Sequence, residues 1–177
     1  MKYLVYLVVI YLLLILNFGV FGELRLIGAV PNLMLLFVIS LALISESLEF
    51  VAVALFAGII WDTYGSLPIG SFALGFVIVG LLANLLFRKV FFYNFNWKHF
   101  PLAVISGIIV LSLWLWIYTA TLAHFHLALF PINFKQLLHS LLPTLIYNLL
   151  LMYPVYGLTI AVNRWIISFQ KNRHVIV

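Results

Sequence analysis

The chain has 177 residues, 67% of them hydrophobic and 7% charged, with a mean hydropathy of +1.26. A soluble domain is near half apolar and a quarter charged, so this composition describes an integral membrane protein. Cysteine is absent, which excludes disulfides, thiolate metal sites and cysteine nucleophiles; the net charge of +5 reports topology and contact with anionic lipid rather than nucleic acid.

Runs such as Leu4 to Leu16 do not alternate polar with apolar residues, as a membrane β-barrel requires. They predict helical spans in a single transmembrane domain over residues 1–177. Tyr3 to Gly22 is the first span. A cleaved signal peptide is the competing reading, but Lys2 is a thin basic region and no small-x-small cleavage pattern follows. Glu23 and Arg25 mark the first loop, and Leu26 to Ser45 is the second span, with Pro31 near its start, where a missing N–H does least harm. A short acidic hairpin with Glu46 and Glu49 leads into a third run, Leu48 to Trp61. About 20 apolar residues are needed to cross ~30 Å of hydrocarbon, so this run must borrow residues, thin the bilayer or be shielded by neighbours.

Asp62 and the turn Tyr64-Gly65-Ser66-Leu67-Pro68 separate the third run from the fourth span, Pro68 to Phe87. Arg88-Lys89 and the aromatic and basic segment from Val90 to His99 have the composition of an interfacial segment at headgroup depth. Phe100 to Ala123 is the fifth span. A loop from His124 to His139 carries Pro131 and Lys135, and Leu141 to Val162 is the sixth span, ahead of a tail with Arg164, Lys171 and Arg173. With the N-terminus inside, Lys2, Arg88, Lys89, Lys98, Arg164, Lys171 and Arg173 face the cytoplasm, and only Arg25 and Lys135 lie outside. That sorting predicts about six spans with both termini cytoplasmic.

The chemistry-bearing residues are few. Every acid lies at or before Asp62, and His124-x-His126 is the only close histidine pair, a weak donor set without a carboxylate or third ligand. No phosphate loop, HExxH or nucleophile elbow occurs. Asp62 and the hairpin glutamates flank opposite ends of one run, too far apart to share a proton. Small residues four apart recur at Ala54/Gly58, Ser71/Gly75, Ala103/Gly107 and Gly157/Ala161 and suit close helix approach. In the sixth span Ser140, Thr144, Asn148, Thr159 and Asn163 share one side at ~100° per residue, a polar seam expected to face the bundle. Asp62 itself has three possible uses. Capping its own helix end opposes the macrodipole. Capping the next helix conflicts with a start delayed by Pro68. Bonding the N–H groups of the Thr63 to Ser66 turn is the expected one, and there an Asn would serve as well.

The pattern Pro31-Asn32-Leu33-Met34-Leu35, an acidic hairpin, then Gly58-x-x-x-Asp62, Gly65 and Pro68-Ile69-Gly70 resembles the rod shape-determining protein MreD family. Pro143 and Asn148 also stand where that family carries a Pro and an Asn, and the likeness runs from about Leu26 to Val162. One departure is that the family's Gly-Leu-Leu-x-Asp reads Gly58-Ile59-Ile60-Trp61-Asp62 here. The resemblance implies a compact all-α bundle of about six transmembrane helices, similar in arrangement to the S component of energy-coupling-factor transporters. It implies a non-enzymatic adaptor of the bacterial cell-elongation complex in the inner membrane, with no cofactor or metal. The partners implied are the bitopic shape protein MreC and, beyond it, the elongation transglycosylase and transpeptidase. The residues it singles out are Pro31, Asn32, Gly58, Asp62, Gly65 and Gly70. The same fold likeness supplies the alternative, a vitamin-binding S component with a pocket near Asp62, Trp114, Trp116 and Asn148.

Overall fold

The computed structural model describes residues 2–23, 29–45, 48–65, 67–90, 99–125 and 132–174. Glu46, Arg25, Ser66, Lys98, His126, Pro131 and most of the expected interfacial segment lie outside the described residues. Six α-helices account for nearly all of the rest, and the second of them is the one around which the others pack.

Helix α2, Leu33–Ile44, is buried from Leu33 through Leu43. Its sequence is apolar all round, so it has no wet face to present, and such a helix is stable only inside a protein or a membrane. Its single polar interior residue, Ser40, donates to the Leu36 carbonyl at 2.6 Å. At 12 residues it is about 18 Å long, well short of the expected span from Leu26 to Ser45. The apolar run is longer than the helix because Asn32 caps it at the point where Pro31 has broken helical continuity. Pro31 therefore sits buried just before the cap rather than in the first turn.

Helix α1, Lys2–Ile15, continues as a π-helical stretch, Leu16–Val20. It turns Tyr6, Val9, Ile10, Leu13 and Leu14 inward at helical spacing. Helix α3, Glu49–Tyr64, runs parallel to it, since Lys2 and Glu49 pair at the start of both helices while Phe18 packs on Trp61 and Tyr64 at the other end. Helix α4, Ser71–Leu82, passes into a second π-helical stretch, Ala83–Val90. Helix α5, Phe100–His124, coincides with the expected fifth span. Helix α6, Phe134–His174, is longer than expected at both ends. It absorbs the end of the expected loop, from Phe134 to His139, and it continues helical through Pro143 and Pro154 because each proline removes one backbone bond among some forty.

The surface is apolar as well as the core, and a few polar side chains are held inside. Leu4, Leu7, Leu102, Leu113, Leu142 and Leu150 are exposed, while Asn17, Asp62, Asn84, Asn148 and Thr159 are buried. That is the arrangement of an all-α protein whose surroundings are hydrocarbon. Among the described residues Lys2–Val20, Phe100–His124 and Phe134–Phe169 are long and apolar enough to cross a membrane, whereas Leu33–Ile44 and Ser71–Phe87 are shorter.

Candidate functional site

The last turn of α3 and the first turn of α4 form the most closely joined region, and two residues four apart create it. Gly58 has no side chain, and a Cβ there would lie 2.3 Å from the Cα of Ala73. The α4 backbone therefore lies directly on the α3 backbone. One turn later on the same face, Asp62 is carried over the start of α4. Its Oδ2 accepts from the Gly70 N–H at 2.8 Å and the Ala73 N–H at 3.2 Å, and its Oδ1 accepts from the Phe72 N–H at 2.9 Å. The Ser71 N–H goes to the Pro68 carbonyl, and the Leu74 N–H makes the first intrahelical bond, to Gly70. All the donors that a helix leaves open at its N-terminus are thus satisfied.

Gly70 makes this geometry possible with φ of +98°, a left-handed conformation that a side chain would strain. Asp62, only 3% exposed, sets its carboxylate against the positive end of α4. This corrects the expectation that Asp62 bonds the Thr63 to Ser66 turn. Its described part, Thr63 to Gly65, has no need of it, because α3 runs on to Tyr64 and the Gly65 N–H bonds the Trp61 carbonyl, while the Thr63 hydroxyl bonds the Ile60 carbonyl. Gly65 caps α3 with φ of −82°, a backbone any residue adopts, so it has no conformational claim on glycine.

Helix α5 grips the same turn from another side. Trp114 Nε1 donates to the Ser71 carbonyl at 2.8 Å, and the Tyr118 hydroxyl donates to the Ile69 carbonyl at 3.0 Å. The two rings stack at 5.5 Å. Gly75 admits Trp114 and Leu111, since a Cβ there would meet both within 3 Å.

A second polar group holds α2. Its Leu33 N–H reaches Asn17 Oδ1 at 3.1 Å, its Leu35 N–H reaches Asn32 Oδ1 at 2.9 Å, and the Asn32 N–H reaches Asn148 Oδ1 at 2.9 Å. The Asn148 amide is steadied in turn by donating to the Thr144 carbonyl. At the far end Asn84 donates to the Ala42 carbonyl at 2.7 Å. A short helix buried on all sides cannot leave its end groups to water, and asparagines on α1, α4 and α6 meet them. Asn17 and Asn84 both lie in π-helical stretches, a feature often found at functional sites.

The expected residues divide accordingly. Gly58, Asp62 and Gly70 come together in one clamp, and Asn32 and Asn148 meet at another. The seam on α6 is only partly a seam. Asn148 and Thr159 are buried, Thr144 is half-buried, but Ser140 is exposed and bonds only the Leu137 carbonyl. The first turns of α6 are mostly outward, with Gln136, Leu138 and His139 exposed as well, while Leu137 is buried and Phe134 packs on Trp116. Of the small-residue pairs, Gly157 and Ala161 are also outward-facing, with no atom within 4 Å of a Cβ on Gly157.

Asn17, Asn84 and Tyr118 escaped the sequence reading. Asn17 and Asn84 were findable as polar residues stranded in apolar runs, which in a membrane must have a partner. Among the described residues there are cavities of ≈ 30 Å³ between α4 and α5, ≈ 280 Å³ between α1 and α3, and ≈ 390 Å³ between α1 and α6. Asp62, Trp114, Trp116 and Asn148 line none of them. Among the described residues no three His, Asp or Glu side chains gather as a metal site. Comparison with protein-family models, with characterised proteins and with solved structures found no match to this chain.

Proposed function

We propose that this chain is a non-enzymatic membrane adaptor of the MreD type, a bundle of about six passes in the bacterial inner membrane with both termini cytoplasmic. In this reading it binds a bitopic MreC-like protein and helps couple the cytoskeletal filament to the peptidoglycan transglycosylase and transpeptidase. The observation that supports it is how the buried polar side chains are used. Asp62 is committed to three backbone N–H groups, and Asn17, Asn32, Asn84 and Asn148 to the ends of α2. Among the described residues every buried side-chain polar atom has a partner. Such groups shape a rigid surface, which is what an adaptor offers. The Gly-x-x-x-Asp spacing that carries the resemblance also acquires a physical purpose, as the close approach and clamp of α3 on α4.

Three short segments, α2, α3 and Ser71–Phe87, cross in this reading by sharing a bilayer locally thinned or shielded by the longer helices. Affinity purification of the full chain in mild detergent, with identification of what accompanies it, tests the proposal. Recovery of a single-span protein is the expected result. A vitamin retained through purification, with no such protein, would overturn it in favour of the S-component reading.

A further inference from the structure

The groove between α1 and α3 is not used by either clamp. It runs beside Tyr3, Leu4, Leu7 and Ile10 on one wall and Val53 and Phe56 on the other. Leu4, Leu7 and Phe56 are 69%, 54% and 56% exposed, so the groove opens sideways into the membrane. The seven helical steps from Tyr3 to Ile10 make it about 10 Å long. Its lining side chains are aliphatic or aromatic and it lies open along one side, so in a bilayer it is filled by hydrocarbon.

Its mouth is charged. Lys2 lies one turn before Tyr6 on α1, and Glu49 one turn before Val53 on α3, so each sits in line with a groove wall. The two side chains pair with each other and remain 26% and 37% exposed. The pair uses one carboxylate oxygen, while an ammonium has three donors and a carboxylate two acceptor oxygens. A cation and an anion side by side, each with bonding capacity to spare, complement a headgroup that carries both signs.

We propose that this groove holds one acyl chain of an aminophospholipid, with Glu49 accepting from the primary ammonium and Lys2 donating to the phosphate. The two charges select the headgroup in opposite ways. An anionic headgroup without an ammonium brings a second negative charge towards Glu49. A quaternary ammonium offers the carboxylate no N–H. Phosphatidylethanolamine satisfies both residues at once. The site depends on the membrane environment of α1 and α3 and not on which protein the bundle binds.

The test uses the full chain in mild detergent, titrated with phosphatidylethanolamine, phosphatidylcholine and phosphatidylglycerol of identical acyl chains, with bound lipid counted by native mass spectrometry. Phosphatidylethanolamine is expected to be retained about fivefold or more over the other two, the scale of one partly exposed charge-assisted hydrogen bond. Glu49→Ala should abolish its advantage over phosphatidylcholine. Leu7→Trp fills the groove from an exposed position, so it should lower retention of all three lipids without changing the melting temperature. Equal retention of the three by the wild-type chain, preference for phosphatidylglycerol, a preference indifferent to Leu7→Trp, or a protein helix seated there instead would each overturn the proposal.

Discussion

Replacing Asp62 separates its two contributions, acceptor geometry and charge. Asp62→Ala leaves the N–H groups of Gly70, Phe72 and Ala73 without their partner at a position where Asp62 itself is 3% exposed. Each buried donor left unpaired costs about 1–3 kcal/mol. Relaxation of the turn recovers part of this, so the total is on the order of 3–6 kcal/mol. Asp62→Asn is the sharper variant. Its amide presents one acceptor oxygen, whereas the carboxylate uses both, Oδ2 for two donors and Oδ1 for one. Whichever way the amide is turned, at least one N–H then faces an NH₂ group, and the attraction between a negative charge and the α4 N-terminus is lost, together about 1–3 kcal/mol. Thermal unfolding of the detergent-solubilised chain, followed by tryptophan fluorescence, should rank wild type above Asn and Asn above Ala. At about 2–4 °C per kcal/mol for a chain of this size, the Asn variant should melt lower by several degrees. If Asp62→Asn melts with wild type, the two-oxygen clamp is wrong and a single acceptor for a local turn suffices.

The other predictions contrast residues that look alike in sequence. Gly58→Ala should destabilise by about 1–3 kcal/mol, because the new methyl meets the Ala73 backbone at 2.3 Å. Gly157→Ala, with open space around it, should be neutral or slightly stabilising; equal melting shifts in the two variants would contradict the close approach of α3 and α4. Asn148→Ala should cost about 1–2 kcal/mol by freeing the Asn32 N–H at the start of α2, while Ser140→Ala should change the melting temperature by less than a degree or so. A Ser140 effect as large as that of Asn148 would restore the continuous seam.

Membrane class and helix identity were legible in the residues because they depend on composition and on runs of apolar sequence. The fifth span was read to within one residue, since Pro101 opens it and the apolar run ends with the helix. The special residues were legible one at a time. Asp62, Gly58, Gly70, Asn32 and Asn148 each stand out as a polar or backbone-permissive residue in apolar surroundings. What each of them touches was not legible. Asp62 bonds N–H groups eight to eleven residues ahead, beyond the reach of any turn rule. Asn148 bonds Asn32 at a separation of 116 residues.

The chain by itself determined that this is a helical membrane protein, and which few residues within it cannot be left to lipid. A buried polar group must find a partner wherever it is placed, so its presence announces a contact without naming the other side. Only the tertiary structure decided the partners. It made Leu33–Ile44 the central helix, because five neighbours could surround it and supply asparagines to its ends. It also turned Asp62 from the tail of one helix into the cap of the next. Local rules set that carboxylate against its own helix dipole, and they could not weigh the stronger, closer attraction of a second helix brought near by Gly58.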